Sequence, residues 1–309
     1  MIFKRIQDFS KQTVLTLATT TFLLGASSSV NAQECLDPEA LTFAMVPTEE
    51  TTAELELYKP VTDRMSELTG KKIEFFLPTS YASVVEGLLG GFVHVAVLGP
   101  YSYIIANEKD SSVEVFATYA KKPGHMQEEG PGYRAALITL KGSEFDSIES
   151  IKGSTLGLVD PGSTSGNLMP RVVFGDVIGM DLDDYFSKVA YTGSHELSAV
   201  AVAEGKVDAA FVATHRFDNV VNKGEIKLED VNVLWQSDPI PQDPFVYRGN
   251  LCDGLKASIR DTFLGLKDDP AATAFLENVK SNTFVPMESS DYDIIRALKK
   301  AKDAKKNSG

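Results

Sequence analysis

A repeated stretch constrains the fold of this 309-residue chain more than any other feature. Residues 80–103 align without a gap on residues 194–217, at an offset of 114 positions (195 minus 81). Each copy has the pattern of a helix, a glycine, a short apolar strand and a loop with aromatic or imidazole groups. The matched pairs include Gly91 with Gly205, Val93 with Val207, His94 with Asp208, and Ala96 with Ala210. A chance match is the alternative, but the repeat favours two lobes of like topology that face each other across a cleft.

Strand-like and helical patterns alternate through the rest of the chain, and their order predicts the fold class. Apolar runs typical of strands occur at residues 41–46, 72–77, 92–98, 134–140, 154–159, 186–191, 207–212 and 231–235. Helical spacing of apolar residues follows several of these runs. This order predicts an α/β protein in which each lobe is a mostly parallel sheet flanked by helices. Functional loops are then expected at the C-terminal ends of the strands.

Two segments interrupt this alternation and are suited to connect the lobes. Residues 121–133 are rich in glycine, proline and charge, which indicates an exposed loop leading into a first crossover. Residues 239–244 contain prolines at 239, 241 and 244, so the backbone there is rigid and extended. We therefore predict a hinge with two crossovers, one lobe formed by residues 33–133 and 240–309, and a second formed by residues 134–239.

The first 32 residues differ from the rest of the chain. Lys4, Arg5 and Lys11 give a positive start, an apolar run covers residues 14–24, and small residues lead to Ala32. This order is typical of a secretory signal peptide, and the apolar run is too short to span a bilayer. We therefore predict a signal peptide at residues 1–32 and a mature protein that is exported to the periplasm.

Charge and cysteine content narrow the classes of partner and compartment. The formal net charge is −13, and removal of the leader takes away a net +2, which leaves −15. Nucleic acid and acidic membrane surfaces repel such a chain, so neither is expected as a partner. The two cysteines, Cys35 and Cys252, are both in the mature chain. In an oxidising compartment they most simply pair with each other, so we expect one disulfide.

The strongest chemical signal lies in residues 160–167, Asp-Pro-Gly-Ser-Thr-Ser-Gly-Asn. An apolar strand-like run ends at Asp160, and a helical pattern follows with Pro170 in its first turn. Ser163, Thr164 and Ser165 therefore lie at a strand-to-helix turn, beside the free N–H groups of a helix start. Hydroxyls and unpaired amides together suit a small oxyanion, and phosphate-like groups suit them best. An ordinary helix cap is the structural alternative.

An oxyanion held between two lobes needs hydrogen-bond donors from both. The repeat makes Tyr81 and His195 matched helix-start residues on either side of the cleft, and Tyr101 and His215 a second matched pair. Tyr133 lies at the first crossover and completes the candidate donors. Packing and helix capping are the alternatives for these residues.

Asp243 lies in the second crossover and is the candidate carboxylate of the site. A carboxylate beside an anion repels it unless a proton lies between them. Asp243 would therefore accept a hydrogen bond from a protonated oxyanion or pair with a ligand amine. The alternative is that it only fixes a turn between prolines.

An enzyme can also be composed from these residues, with Ser163 or Ser165, His195 and Asp208 or Asp243 as a hydrolytic triad. The sequence has no Gly-x-Ser-x-Gly elbow, and a Ser-Thr-Ser run at a helix start is better explained by anion contacts. No two histidines are spaced as metal ligands on a helix. We therefore expect no catalysis, no metal and no cofactor.

At these residues the chain resembles the periplasmic substrate-binding proteins of ABC importers for phosphonate, phosphite and related phosphorus oxyanions. The resemblance extends from Leu41 to about Phe263 and is carried by the motifs at residues 99–103, 160–166, 193–196, 207–210 and 237–244. It implies a two-lobed, type II-like binding-protein fold that closes on its ligand by hinge motion. It also implies that the PO3 group is held by Tyr81, Tyr133, Ser163, Thr164, Ser165 and His195.

One departure from the family pattern concerns the ligand. Family members that bind aminoalkylphosphonates hold the amine with a glutamate and an aspartate. The aspartate position matches Asp243, but the glutamate position is His215, followed by Arg216. Histidine lacks the negative charge that an amine needs, which favours phosphite, methylphosphonate, phosphate or a ligand with a second anionic group.

The predicted function is high-affinity periplasmic binding of a small phosphorus oxyanion. A monomer would deliver this ligand to the ABC permease in the inner membrane. A binding protein that signals to a membrane receptor is an alternative that the sequence leaves open, because both outputs use the same closed cleft.

Overall fold

The computed structural model describes residues 35–48, 53 and 56–308, and the predicted signal peptide at residues 1–32 lies outside this part. The strands are β1 Ala40–Met45, β2 Lys72–Phe76, β3 Val95–Val97, β4 Val113–Lys121, β5 Gly132–Tyr133, β6 Ala135–Leu140, β7 Thr155–Leu158, β8 Lys188–Tyr191, β9 Ala209–Ala213, β10 Val231–Gln236, β11 Ile240–Pro241, β12 Pro244–Arg248 and β13 Ser281–Pro286. The α-helices are α1 Lys59–Thr69, α2 Tyr81–Gly90, α3 Pro100–Lys109, α4 Gly175–Ile178, α5 Leu182–Tyr185, α6 His195–Ala203, α7 Thr214–Asn222, α8 Asp253–Leu264, α9 Thr273–Asn278 and α10 Asp293–Ser308.

Two large sheets organise the protein, one in each lobe of the fold. The first has the order β13-β4-β12-β3-β1-β2, and the second has the order β10-β6-β9-β7-β8. We call the residues around the first sheet the first lobe and those around the second sheet the second lobe. The division into lobes at residues 133/134 and 239/240 stays a prediction.

Both sheets are mixed, whereas the sequence pattern predicted mostly parallel ones. Strands β3, β1 and β2 pair in parallel, as do β9, β7 and β8, but β12 and β6 pair antiparallel with their neighbours. The reason is the path of the chain. Strands β6 and β12 each follow a crossover. They therefore enter a lobe at the cleft, where the parallel strands end, and run in the opposite direction to those strands.

The two crossovers contact each other as a short antiparallel ribbon. Ile240 of β11 pairs with Tyr133 of β5, and Pro241 pairs with Gly132. The backbone N–H of Gln242 also donates to the carbonyl of Pro131 at 2.9 Å. The predicted pair of crossovers is therefore confirmed, and Tyr133 and Asp243 lie at or next to this ribbon.

The internal repeat is confirmed by element boundaries that keep the offset of 114 residues. Helix α2 begins at Tyr81 and α6 at His195, while α3 begins at Pro100 and α7 at Thr214. Ser80 and Ser194 each cap their helix, since their hydroxyls accept the N–H of Ser83 at 3.1 Å and of Leu197 at 3.0 Å. Each lobe therefore turns a serine-capped helix start toward the cleft.

The helical segment after β7 begins earlier than the sequence predicted. It consists of π-helical turns at Thr164–Leu168 and Pro170–Phe174, followed by α4. Pro170 is consequently inside the helical segment and not in its first turn. A proline lacks the N–H that an interior helical turn requires. Pro170 begins the second of the two π-helical turns, so the missing hydrogen bond falls at the junction between them.

The C-terminal helix α10 contacts both lobes. Nζ of Lys302 donates to the Tyr101 hydroxyl of the first lobe at 3.2 Å. Lys305 forms an ion pair with Asp176 of the second lobe at 2.5 Å. The lysine-rich helix at the C-terminal end therefore bridges the two lobes.

The predicted disulfide is present between Cys35 and Cys252, across 217 positions of sequence. It fastens the segment before β1 to the start of α8, and both ends are in the first lobe. Within the described residues, none of the helices combines the length and the apolar character needed to cross a membrane.

Candidate functional site

The Ser-Thr-Ser run lies at the C-terminal end of β7, buried where the two lobes meet. Ser163, Thr164 and Ser165 are each at most 2% exposed. The Ser163 hydroxyl accepts the N–H of Gly166 at 3.1 Å, so the capping role that was the alternative interpretation is real. A hydroxyl that accepts still has its own proton to donate, so capping and anion binding are compatible.

Contacts between the lobes are concentrated at this run. Thr164 Oγ1 accepts the backbone N–H of Tyr101 at 2.9 Å, and the Ser102 hydroxyl donates to the carbonyl of Gly162 at 2.9 Å. The N–H of Tyr81 donates to Asp160 Oδ2 at 3.4 Å. Because these bonds join helix starts of the first lobe to the loop of the second, the cleft is closed over the Ser-Thr-Ser run.

His195 is held as a neutral donor by its surroundings. Its Nδ1 accepts the N–H of Ala213 at 3.0 Å, which places the ring proton on Nε2. That nitrogen lies 3.4 Å from the Ser165 hydroxyl. Burial, together with the nearby Arg216 charge, lowers the pKa of His195 to about 3. The imidazole therefore offers one N–H to the cleft without bringing a positive charge.

Two buried tyrosines supply donors from the first lobe and the crossover. Burial raises the pKa of the Tyr81 hydroxyl well above its usual value, and the Asp243 carboxylate adds to the shift. The pKa of Tyr133 is raised for the same two reasons, although hydrogen bonds to the Ser165 and Thr164 hydroxyls oppose the shift. Both tyrosines therefore stay protonated and able to donate at any physiological pH.

Asp243 and His215 line the same cavity as Tyr133 and Ser163. The His215 ring packs edge-on against the Tyr133 ring with centroids 4.8 Å apart, and its Nε2 lies 3.9 Å from Asp243 Oδ2. Burial, followed by the charges of Lys121 and Arg216, lowers the pKa of His215 well below its ordinary value. His215 is therefore neutral, and its ring cannot cancel the charge of Asp243.

Sequence reasoning missed the pair formed by Glu196 and Arg216. Arg216 Nη1 lies 3.7 Å from Glu196 Oε1, and the Glu196 side chain is buried. The two residues directly follow His195 and His215, the helix-start residues of α6 and α7. Their positions beside two candidate residues were a usable signal. Arg216 therefore lies beside the second carboxylate of the cleft, Glu196.

Eight of the nine predicted binding residues occur at the meeting point of the lobes, and Tyr101 is placed differently. Its backbone N–H bonds to Thr164, but its hydroxyl accepts from Lys302 and its ring lies 5.0 Å below that ammonium. The cavity between the lobes is lined by Val46, Pro47, Thr48, Tyr81, Gly99, Tyr133, Ser163, Thr164, His195, Glu196, Ala213, His215, Arg216 and Asp243. We call this cavity the cleft. Ser165 adjoins it through His195.

The family described as "ABC transporter, phosphonate, periplasmic substrate-binding protein" matches residues 43–292. The chain belongs to this family. Its members are substrate-binding proteins of ABC importers, so the chain is a binding protein and not an enzyme. Among the described residues, no cluster of three or more histidine, cysteine or acidic side chains is arranged to hold a metal ion.

Curated relatives of this phosphonate-binding family cover most of the chain. The phosphonates-binding periplasmic protein of Escherichia coli K12 is 30% identical over 272 residues, which is 87% of this chain and 77% of that protein. The phosphate-import protein PhnD of Mycolicibacterium smegmatis is 28% identical over 283 residues, 84% of each chain.

Solved structures of the phosphonate-binding family agree with the fold. The binding-protein component of an ABC phosphonate transporter from Pseudomonas aeruginosa has a TM-score of 0.77 and 28% identity, over 85% of this chain and 86% of that one. PhnD1 of Prochlorococcus marinus, solved with methylphosphonate, has a TM-score of 0.76 and 17% identity, over 86% of this chain and 99% of that one. At this low identity the second likeness supports the two-lobed fold alone.

Proposed function

We propose that the protein binds a small phosphorus oxyanion in the periplasm, as a monomer, and delivers it to the permease of an ABC importer. The observation that carries the proposal is the convergence of neutral donors on one closed cleft. They come from the first lobe, the crossover and the second lobe, and they are Tyr81, Tyr133, Ser163, Thr164, Ser165 and His195.

Neutral donors suit an oxyanion for a physical reason. Hydrogen bonds from fixed, desolvated donors stabilise an anion without requiring a buried counter-charge, and a hydrogen bond to a charged group contributes about 1.5–3 kcal/mol. The Asp243 carboxylate in the lining of the cleft adds a condition. It tolerates an anion only when the ligand presents an O–H toward it, so a singly protonated phosphonate, phosphite or phosphate fits best.

Closure supplies the mechanism of delivery. Thr164 and Gly162 of the second lobe already bond to the first turn of α3 in the first lobe. Ligand binding and contact between the lobes therefore occur at the same place. A ligand that bonds to both lobes stabilises the closed form by its differential affinity for that form. The permease would then recognise the closed protein.

Titration calorimetry of the mature protein, residues 33–309, tests the proposal. We expect one-to-one binding of at least one of phosphite, phosphate and methylphosphonate, with no turnover of phosphomonoesters. Sulfate is the matched control, because it has the same tetrahedral shape but lacks a proton for Asp243 at neutral pH. Absence of binding to all three phosphorus compounds, or equal binding of sulfate, would contradict the proposal.

A further inference from the structure

A larger chamber adjoins the cleft, and His215 forms part of the wall of both. One cavity of about 270 Å³ shares Val46, Thr48, Glu196, His215 and Arg216 with the cleft. A second cavity of about 380 Å³ continues from it past Lys121, His215, Asn219 and Lys280. We call these two cavities together the chamber. A ligand with its PO3 group in the cleft could therefore extend past His215.

The chamber is lined by more positive than negative side chains, although the whole chain is acidic. The cations are Lys121, Lys122, Arg216, Lys223 and Lys280, and the carboxylates are Glu196 and Asp218. Both carboxylates are already bonded. Glu196 lies 3.7 Å from Arg216, and Asp218 accepts the backbone N–H groups of Met126 and Gln127. Lys122 also forms an ion pair with Glu277, so the positive excess comes from Lys121, Lys223 and Lys280. The net field in the chamber still favours a negative group.

His215 provides an independent sign that a ligand atom belongs here. Its side chain is 7% exposed, and its Nδ1 is buried without a hydrogen-bond partner among the described residues. A buried polar atom without a partner costs about 1–3 kcal/mol, so such atoms are rare unless a ligand or water bonds to them. The amide side chains of Asn219 and Asn222 line the same chamber.

Backbone strain occurs at the same chamber wall. Lys280 has φ 50°, and it is the one non-glycine residue with a positive φ in the described part of the chain. Lysine rarely adopts this conformation, and strained residues concentrate at ligand sites. The neighbouring Lys121 is buried, donates to the carbonyl of Val279 at 2.8 Å, and lies 4.0 Å over the Tyr119 ring. The structure thus holds two lysines at this wall.

We infer that the physiological ligand carries a second anionic group, a carboxylate or a further phosphorus oxyanion, and that the chamber binds it beyond His215. The inference rests on the proposed function, since it assumes that the cleft takes the PO3 group. An amine is disfavoured in the chamber, because its two carboxylates, Glu196 and Asp218, are already bonded to other groups of the protein. The ligand would thus be a phosphonate or phosphate with a negatively charged substituent.

Calorimetry with a matched ligand pair tests this inference. 3-Phosphonopropionate and propylphosphonate have the same PO3 group and chain length but differ in one carboxylate. We expect 3-phosphonopropionate to bind about tenfold more tightly, which corresponds to two partly exposed ion pairs. Its affinity should also fall more steeply between 20 mM and 200 mM salt, because exposed charge pairs are screened.

A double variant, Lys223→Gln with Lys280→Asn, locates the effect in the chamber. Both lysines are exposed, and asparagine tolerates the positive φ at position 280, so the fold should be kept. We expect the advantage of 3-phosphonopropionate to fall to about twofold or less, with methylphosphonate binding unchanged. Lys188→Gln, an exposed lysine at the start of β8, is the matched control and should leave both affinities as they are.

The outcomes separate this inference from the proposed function. Methylphosphonate binding together with equal affinities for the ligand pair, or tighter binding of 2-aminoethylphosphonate than of 3-phosphonopropionate, would overturn the inference alone. An equal loss for every ligand in the double variant would also overturn it. Failure of phosphite, phosphate, methylphosphonate and both longer phosphonates to bind would contradict the proposed function itself, and the inference with it.

Discussion

The two copies of the repeat share a backbone plan but differ in the chemistry at each matched position. Tyr81 and His195 begin equivalent serine-capped helices and both present a neutral donor to the cleft. The second matched pair diverges, because the Tyr101 hydroxyl bonds to Lys302 while His215 stays in the cleft wall. The topology therefore fixes where functional side chains lie, and the residue at each place decides what they do.

Within the repeat, the residues just before strands β3 and β9 also differ in type, although their role is structural. His94 Nδ1 accepts the N–H of Thr42 of β1 at 3.0 Å, and Asp208 Oδ2 accepts the N–H of Thr155 of β7 at 2.7 Å. A histidine and an aspartate thus perform the same task at matched positions. This explains why Asp208, a candidate in the hydrolytic triad, lies in the fold's framework and not in the cleft lining.

The largest expected difference between the lobes is covalent. The Cys35–Cys252 disulfide has both ends in the first lobe and closes a loop of 217 positions, so reduction removes this constraint from the unfolded chain. We expect reduction to lower the free energy of unfolding by about 2–5 kcal/mol, measured by denaturant titration. A Cys35→Ala/Cys252→Ala variant should show the lower value with or without reductant. Equal stability of the oxidised and reduced protein would contradict this expectation.

The second difference is the response to pH, to which the second lobe contributes two buried histidines and the first lobe one, His94, whose pKa burial also lowers. His195 has its pKa lowered to about 3, against 6.5 in the unfolded chain, so the unfolded state binds more protons below pH 6.5. Stability should therefore be full above about pH 6.5 and fall progressively toward pH 3, by a few kcal/mol. His215, whose pKa is also lowered, contributes in the same direction.

A His195→Gln variant separates this pH response from general acid unfolding. Glutamine still offers an N–H but does not titrate, so the loss of stability between pH 6.5 and pH 4 should become shallower. Circular dichroism during urea titrations at several pH values measures it. An unchanged slope in the variant would show that His195 is not the titrating group. Tyr81, its counterpart, stays protonated across this range and should leave the pH profile unchanged when replaced by phenylalanine.

The two tyrosines at helix starts of the first lobe predict a difference in ligand affinity. Tyr81→Phe removes a donor from the cleft and should weaken binding of methylphosphonate, or of whichever phosphorus oxyanion binds, by about 1–3 kcal/mol. Tyr101→Phe removes a hydroxyl at the start of α3 that bonds to Lys302, and should change affinity less than twofold. Calorimetry on both variants checks the pair. Similar losses in the two variants would contradict the different placement of the hydroxyls.

The smallest expected effect concerns contact between the lobes. Thr164→Val keeps the shape of the side chain but removes the oxygen that accepts the N–H of Tyr101. We expect a loss of about 1 kcal/mol in the free energy of unfolding or in the free energy of lobe closure. The loss is small because the N–H of Tyr101 can bond to water when the lobes separate. Small-angle scattering of the ligand-free variant should show a more open population than the wild type. Ser83→Ala, in the half-buried capping box of α2, is a control within one lobe.

Much of this organisation could be predicted from the sequence because it depends on local patterns. The repeat gave the offset that places α2 and α6 on the cleft, and the prolines at 239, 241 and 244 marked the second crossover. What could not be predicted depends on contacts distant in sequence. The antiparallel insertion of β12 beside β3 has no local signature in the sequence. The meeting of Lys121 on β4 with Lys280 after α9 has none either, since 159 positions separate the two lysines.

The side-chain direction of Tyr101 was equally beyond local reasoning. The repeat predicted its helix-start position correctly, but its hydroxyl bonds to a lysine of α10, which lies 201 positions away. The early start of the helical segment at Thr164 has a similar cause. Ser163 caps that segment through Gly166, whose Cα has room for no side chain against Val159. Only the packed structure shows that constraint.

A crystal structure of the mature protein with methylphosphonate tests the central claim, that donors of both lobes grip one tetrahedral anion, most directly. The account predicts phosphonate oxygens within about 3.2 Å of the Tyr81 hydroxyl, the Ser165 hydroxyl and His195 Nε2, with the methyl group directed toward His215. A ligand bound elsewhere, with residues 163–165 facing bulk solvent, would contradict it.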